Sequence, residues 1–171
     1  PENQMTAFTH VSYDGRYLCV PTTDARILEY DPDTEGYGLD KRPRYDIDAR
    51  VQQENLNSCL HVYDTQTGRE TLSETVPRCW ITHVQFHPAD SHVILYNHEW
   101  PSFDCGIRRI NLFDGRAHRQ LRTAGGQRSA DDWVCHEMWS PDGRSVIYHG
   151  AYANGPAFVG RVDVREMTYA E

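Results

Sequence analysis

The chain has 171 residues, the length of one ordinary domain, and its 39% hydrophobic and 11% aromatic content fits a globular, β-rich protein. A formal net charge of -8 excludes a general nucleic-acid binder, which needs a basic stripe. Five cysteines, Cys19, Cys59, Cys79, Cys105 and Cys135, lie scattered without CxxC spacing and read as mostly buried free thiols, not as a disulfide framework or a zinc knuckle.

In chain order, the first predicted element is "HVSYDGRYLCV" from His10, a short strand, an Asp-Gly turn and a second apolar strand. A polar stretch, residues 22–57, follows; it is rich in charge and tyrosine and is expected to be an insertion loop. "LHVYDTQTGRE" (60–70), "RRINLFDGRAH" (108–118) and "GRVDVREM" (160–167) are expected outer strands ending in turns. No convincing capped amphipathic helix is read anywhere. No apolar run is long enough to cross a membrane and no signal peptide is read, so a cytoplasmic location is expected, with the periplasm as the alternative.

The central pattern is a repeat. "HVQFHPADSHVILY" (83–96) registers without a gap on "HEMWSPDGRSVIYH" (136–149), an offset of 53 residues. His83 then matches His136, Phe86 matches Trp139, and Pro88 matches Pro141. Self-similarity at roughly 40–50 residues per unit is the signature of four-stranded propeller blades. The fold expected is therefore all-β, residues 1–171 forming about three blades of a partial β-propeller with antiparallel strands. A closed ring takes about four to eight blades, so the remaining ones are expected from the rest of a longer protein or from an assembly.

Nine histidines are many for this length. His83 and His136 occupy equivalent points where an inner strand begins, and His98 follows an apolar strand, so all three are candidates for one pocket. A histidine on a strand more often serves the blade through a hydrogen bond. His61, His92, His118 and His149 show nothing that asks for a role. His-Glu occurs twice, at His98-Glu99 and His136-Glu137. Neighbouring strand residues face opposite ways, so these glutamates read as structural partners. Arg108 and Arg109 also alternate; a channel-facing arginine suits a carboxylate.

Taken together, "HVQFHPADSHVILYNHEW", the arginine ten residues after His98, and "CHEMWSPDGRSVIYHG" resemble the oligogalacturonate lyases. SPDG alone is common among propellers; the HE-W and HExWSPDG pair at this separation is more specific. The resemblance implies a seven-bladed propeller that splits short galacturonate oligomers by β-elimination with manganese, in pectin degradation. It implies His136 as the catalytic base and Arg108 as the catalytic arginine, with Arg109 one residue away as the alternative. His83, His98 and Arg109 are then expected to bind the uronic-acid oligosaccharide. The family's metal ligands, a histidine and a Gln-x-x-His-x-His cluster, lie downstream of the last residue here, so no metal ligand is assigned in this chain. "HEWP" also departs from the family, which usually has a glycine between that glutamate and the proline.

The chemistry suits these residue types. The C5 proton lies beside a carboxylate and is weakly acidic; a neutral imidazole can remove it while cations stabilise the enolate-like charge. Three alternatives stand beside this reading. They are a non-catalytic propeller used as a binding scaffold, a lyase or epimerase for another uronic acid, and a metal site made of His83, His98 and His136.

Overall fold

The computed structural model of the protein describes residues 2–28, 47–99, 109–122, 133–152 and 155–171. Thirteen strands among them form three antiparallel sheets. In the first, β1 (Gln4–Thr6) and β2 (His10–Val11) share the inner position against β3 (Tyr17–Asp24), followed by β4 (Ser58–Asp64) and β5 (Glu70–Val76). The second runs β6 (Val84–His87), β7 (Asp90–Asn97), β8 (Ile110–Phe113), β9 (His118–Gln120). The third runs β10 (Trp133–Trp139), β11 (Ser145–Ala151), β12 (Ala157–Asp163), β13 (Tyr169–Ala170). These are blades of a partial β-propeller, as the repeat predicts.

The side chains show why the sheets stack. In the middle blade Ile94, Tyr96 and Phe113 pack into one core with Cys19, Leu60 and Val62 of the first blade. Their neighbours Leu95, Ile110 and Leu112 face the other way, into a second core with Val134, Val146, Tyr148 and Val162 of the third blade. A strand buried on both faces must be apolar at successive positions, which is why residues 93–96 read as the unbroken run "VILY". Outer-face residues of the third blade lack such a cover: Met138 and Val159 are exposed.

The turns are as repetitive as the strands. In "SYDG" and "SPDG" the Ser12 and Ser140 hydroxyls each donate to the aspartate two residues on at 2.6 Å, and Gly15 and Gly143 take φ of 74° and 70°. Asp64, Asp114 and Asp163 close the outer hairpins, each accepting two backbone N–H bonds that hold its carboxyl below the usual carboxylate range.

Gly143 carries a second constraint. A Cβ there would fall 2.2 Å from Nε2 of His87, a ring fixed edge-on against Trp139 and accepting the Ala89 N–H at Nδ1. At Gly15 nothing lies within 4 Å. Gly15→Ala is therefore expected to cost only the left-handed backbone, about 1–2 kcal/mol, and Gly143→Ala clearly more. Thermal melts of the two variants check this; equal losses would mean that the seat of His87 against the turn contributes nothing.

Two expectations change. A short helix, α1 (Ile47–Gln53), and a 3-10 turn at Ala25–Leu28 stand within the polar stretch 22–57. Ile27, Val51 and Leu56 are fully buried together with Trp80 packed on them, so this part has a small core of its own. With so few apolar positions, its helix leaves no visible amphipathic period. Among the cysteines, Cys19, Cys59, Cys79 and Cys135 are free thiols; Cys19 and Cys79 are buried and the other two half-buried. Burial pushes the Cys19 thiol up to about 12. Cys105 lies outside the described residues.

Candidate active site

Each inner strand starts beside the end of the second strand of its blade: Gln4 pairs with Asp24, Val84 with Tyr96, Trp133 with Ala151. The candidate residues gather at that edge. Asn97, His98 and Glu99 end or follow β7, Arg109 precedes β8, and His83 precedes β6. Gln85, one strand alternation beyond His83, donates to the carbonyl of Glu137 at 2.7 Å. His83 and His136 therefore sit on neighbouring inner strands.

His136 owes its position to a break in β10. Register runs Cys135 to His149, then Met138 to Ile147, so His136 and Glu137 together oppose Tyr148 alone. This is a β-bulge, and His136 takes the left-handed conformation there, φ 53°. Such a backbone in a non-glycine residue costs about 1–3 kcal/mol and is concentrated at functional sites. The kink leaves the imidazole exposed and turns Glu137 into the interior. His136 Nδ1 lies 2.6 Å from Nε2 of His149, with the ring centroids 4.8 Å apart, and Trp133 packs edge-on against His149 at 5.5 Å. Cys135, the cross-strand partner of His149, completes a group whose ligand atoms all lie within 4.8 Å.

Beneath the bulge lies a buried cation between two carboxylates. Arg109, with 3% of its side chain exposed, donates from Nη1 to Glu99 Oε1 at 2.8 Å and from Nε to Glu137 Oε2 at 3.1 Å. Burial opposes its charge, but Glu137 and Glu99 more than offset this and raise its pKa above the ordinary arginine range. Glu137 Oε1 is buried and has no hydrogen-bond partner among the described residues. Glu99 Oε2 accepts from the Thr82 hydroxyl and from Asn97 Nδ2 at 3.1 Å. Because the Thr82 proton goes to Glu99, the 2.8 Å contact between Thr82 Oγ1 and His83 Nδ1 assigns the hydrogen to His83. The other ring nitrogen of His83 is then an acceptor. The ring is 43% exposed and stacks on Phe8, centroids 4.8 Å apart.

The sequence candidates thus separate. His83 and His136 are accessible. His98, at 3% exposure, is not: Nδ1 accepts the Trp80 N–H at 3.0 Å and lies 3.5 Å from Cys79 Sγ. Its expected place in an open pocket differs from this buried one, because strand β7 carries it inward past Asn97. Arg109, expected at the substrate, is here buried and ion-paired with Glu99 and Glu137, because both carboxylates close on its guanidinium. Arg108 lies outside the described residues. A metal group of His83, His98 and His136 does not form; among the described residues the ligand atoms that meet are those of Cys135, His136 and His149. No sequence motif marks His149 or Cys135 as part of the site. The signal was the hairpin itself: counting outward from Asp142-Gly143 sets His149 opposite His136, and the bulge shifts that pairing by one residue.

Known structures share this architecture. No family model matches the sequence, and no curated protein matches it. An oligogalacturonate lyase in complex with manganese superposes with a TM-score of 0.69 at 20% identity, over 99% of this chain and 42% of the other. An oligogalacturonate lyase from Vibrio parahaemolyticus gives 0.70 at 19% identity, again over 99% and 42%. The likeness is one of fold. An acylaminoacyl peptidase from Pyrococcus horikoshii gives 0.52 at 9% identity, over 98% and 24%. The chain spans less than half the length of the two lyases it resembles.

Proposed function

We propose that this chain is the base-bearing part of a polysaccharide lyase that cleaves short oligogalacturonates by β-elimination. The observation that carries the reading is the exposed His136, held on a strained bulge with Nδ1 against His149. If Nδ1–H donates to His149, Nε2 of His136 bears a free lone pair in the neutral ring, the form a general base needs. The fold likeness across nearly the whole chain supports the class, and the His136 position within "CHEMWSPDG" supports the role.

In this reading the lone pair takes the C5 proton, negative charge spreads into the adjoining carboxylate, and the C4=C5 bond forms. The C4–O bond breaks with its electron pair leaving on oxygen, which takes a proton from solvent to give the alcohol end and a 4,5-unsaturated product. Arg108 is assigned to that developing charge. His83, accessible and with Nε2 free to accept, is assigned to a substrate hydroxyl. The Glu99–Arg109–Glu137 assembly fixes the bulge beneath the base, so Arg109 acts through position.

Manganese, present in one of the similar lyases, would neutralise the substrate carboxylate. The Cys135, His136 and His149 group does not fit it, because the thiolate is a soft donor and the group offers none of the oxygen ligands that manganese prefers. No step is routed through it here.

The test is to incubate the intact protein, with all its blades, with oligogalacturonates and watch for conjugated-double-bond absorbance. Growth of that absorbance is expected. Turnover confined to another uronate oligomer would reassign the substrate, and none with any uronate would favour a binding scaffold.

A further inference from the structure

We propose that Cys135, His136 and His149 form a binding site for a thiophilic divalent cation, with zinc as the natural candidate. The backbone builds the site in two moves. Cys135 and His149 are direct cross-strand partners, so their side chains project from the same face of the third blade. In a regular strand His136 would leave by the opposite face; its left-handed φ of 53° in the bulge returns it to theirs. A backbone cost is thus borne where the result is one sulfur and two nitrogen donors within 4.8 Å.

The donor set selects the metal. One sulfur and two imidazole nitrogens suit zinc, which takes three protein ligands and leaves a fourth position to water in open sites. Zinc–nitrogen bonds of about 2.0–2.1 Å put two tetrahedral nitrogens about 3.3 Å apart. His136 Nδ1 and His149 Nε2 stand at 2.6 Å, so the rings need part by under about 1 Å. Among the described residues no apolar lid bars the way, since His136 is exposed and the neighbouring Met138 and Val159 are open to solvent.

Occupancy has a consequence for the base. A cation on His136 Nδ1 forces the remaining hydrogen onto Nε2, where it blocks proton abstraction. Bound zinc and general-base action at His136 therefore exclude one another, and a thiophilic metal switches the proposed reaction off.

The test is spectroscopic and independent of any activity. The full chain, reduced and metal-free, is titrated with Co²⁺, which reports a thiolate ligand by near-ultraviolet charge-transfer absorption and a tetrahedral site by visible bands. Both are expected. Cys135→Ser removes the charge-transfer band, and His149→Ala weakens binding at least about tenfold, the lower bound seen even for loss of outer partners. Absence of the band, or its persistence in Cys135→Ser, overturns the site. Should that variant not fold, alkylation of the unaltered chain decides. Zn²⁺ is expected to protect Cys135 from iodoacetamide in peptide maps, and an unchanged rate of modification overturns the proposal.

Discussion

His136→Ala in the intact protein is expected to lower kcat on oligogalacturonate by about 10²–10⁴, with KM nearly unmoved. A general base acts as the proton leaves, so its loss falls on the transition state and not on ground-state binding. The factor corresponds to about 3–5 kcal/mol of barrier. Folding should suffer little, because His136 is exposed and histidine already pays most of the left-handed backbone cost that alanine would pay. His149→Ala is expected to lower kcat by less, because it frees the tautomer without removing the base. In the His136→Ala background it should do nothing further: two residues acting as one unit are non-additive. Initial rates from product absorbance, fitted for kcat and KM in the four proteins of this cycle, check the outcome. A His136→Ala enzyme within about threefold of the parent would remove the base assignment, and additive losses would remove the pairing.

Much of the fold is legible in the residues, and the reason is periodicity. The offset of 53 residues between "HVQFHPADSHVILY" and "HEMWSPDGRSVIYH" becomes two inner hairpins in adjacent blades. The Ser-x-Asp-Gly turns become two closures with matching hydrogen bonds. Turn chemistry and strand alternation are local, and local physics repeats when the sequence does. α1 escapes because Val51 and Leu56 find Ile27 through a chain path that no short window spans.

The site is legible only in part. His136 and Glu137 diverge as alternation predicts, and Glu99 and Glu137 prove to be the partners of Arg109. A bulge is a tertiary choice, however, and nothing in "WVCHEMW" announces that one residue will be left over. Without it Cys135 would not pair with His149 and looks like one more buried thiol. One buried inter-blade pin, and the bonds around it, were invisible as well. Arg122, after β9, meets Glu171 at 2.6 Å, and the hydroxyls of Tyr148 and Tyr152 close on the same carboxylate. Their partners lie tens of residues apart in sequence and share no pattern.

The other large effect expected is on stability, at Arg109. Its guanidinium is the shared counter-charge of two carboxylates, with Arg109 3% and Glu137 4% exposed. Arg109→Met keeps the stem's apolar contacts but strands Glu99 and Glu137 in a site with little water. Breaking a buried ion pair from one side costs about 3–5 kcal/mol, because the orphaned charges keep their desolvation penalty. At roughly 2–4 °C per kcal/mol for a chain of this size, the melting temperature should fall on the order of 10 °C. The triple variant Glu99→Gln, Arg109→Met, Glu137→Gln is expected to recover most of that loss, since it removes the charges together. Recovery would locate the penalty in stranded charge and not in lost packing. A single variant melting within about 2 °C of the parent would mean that solvent reaches the pair and that Arg109 does not secure the bulge. The recovered triple variant should still be a poor catalyst if the carboxylate–guanidinium geometry is what holds Glu137, and with it the backbone of His136, in place.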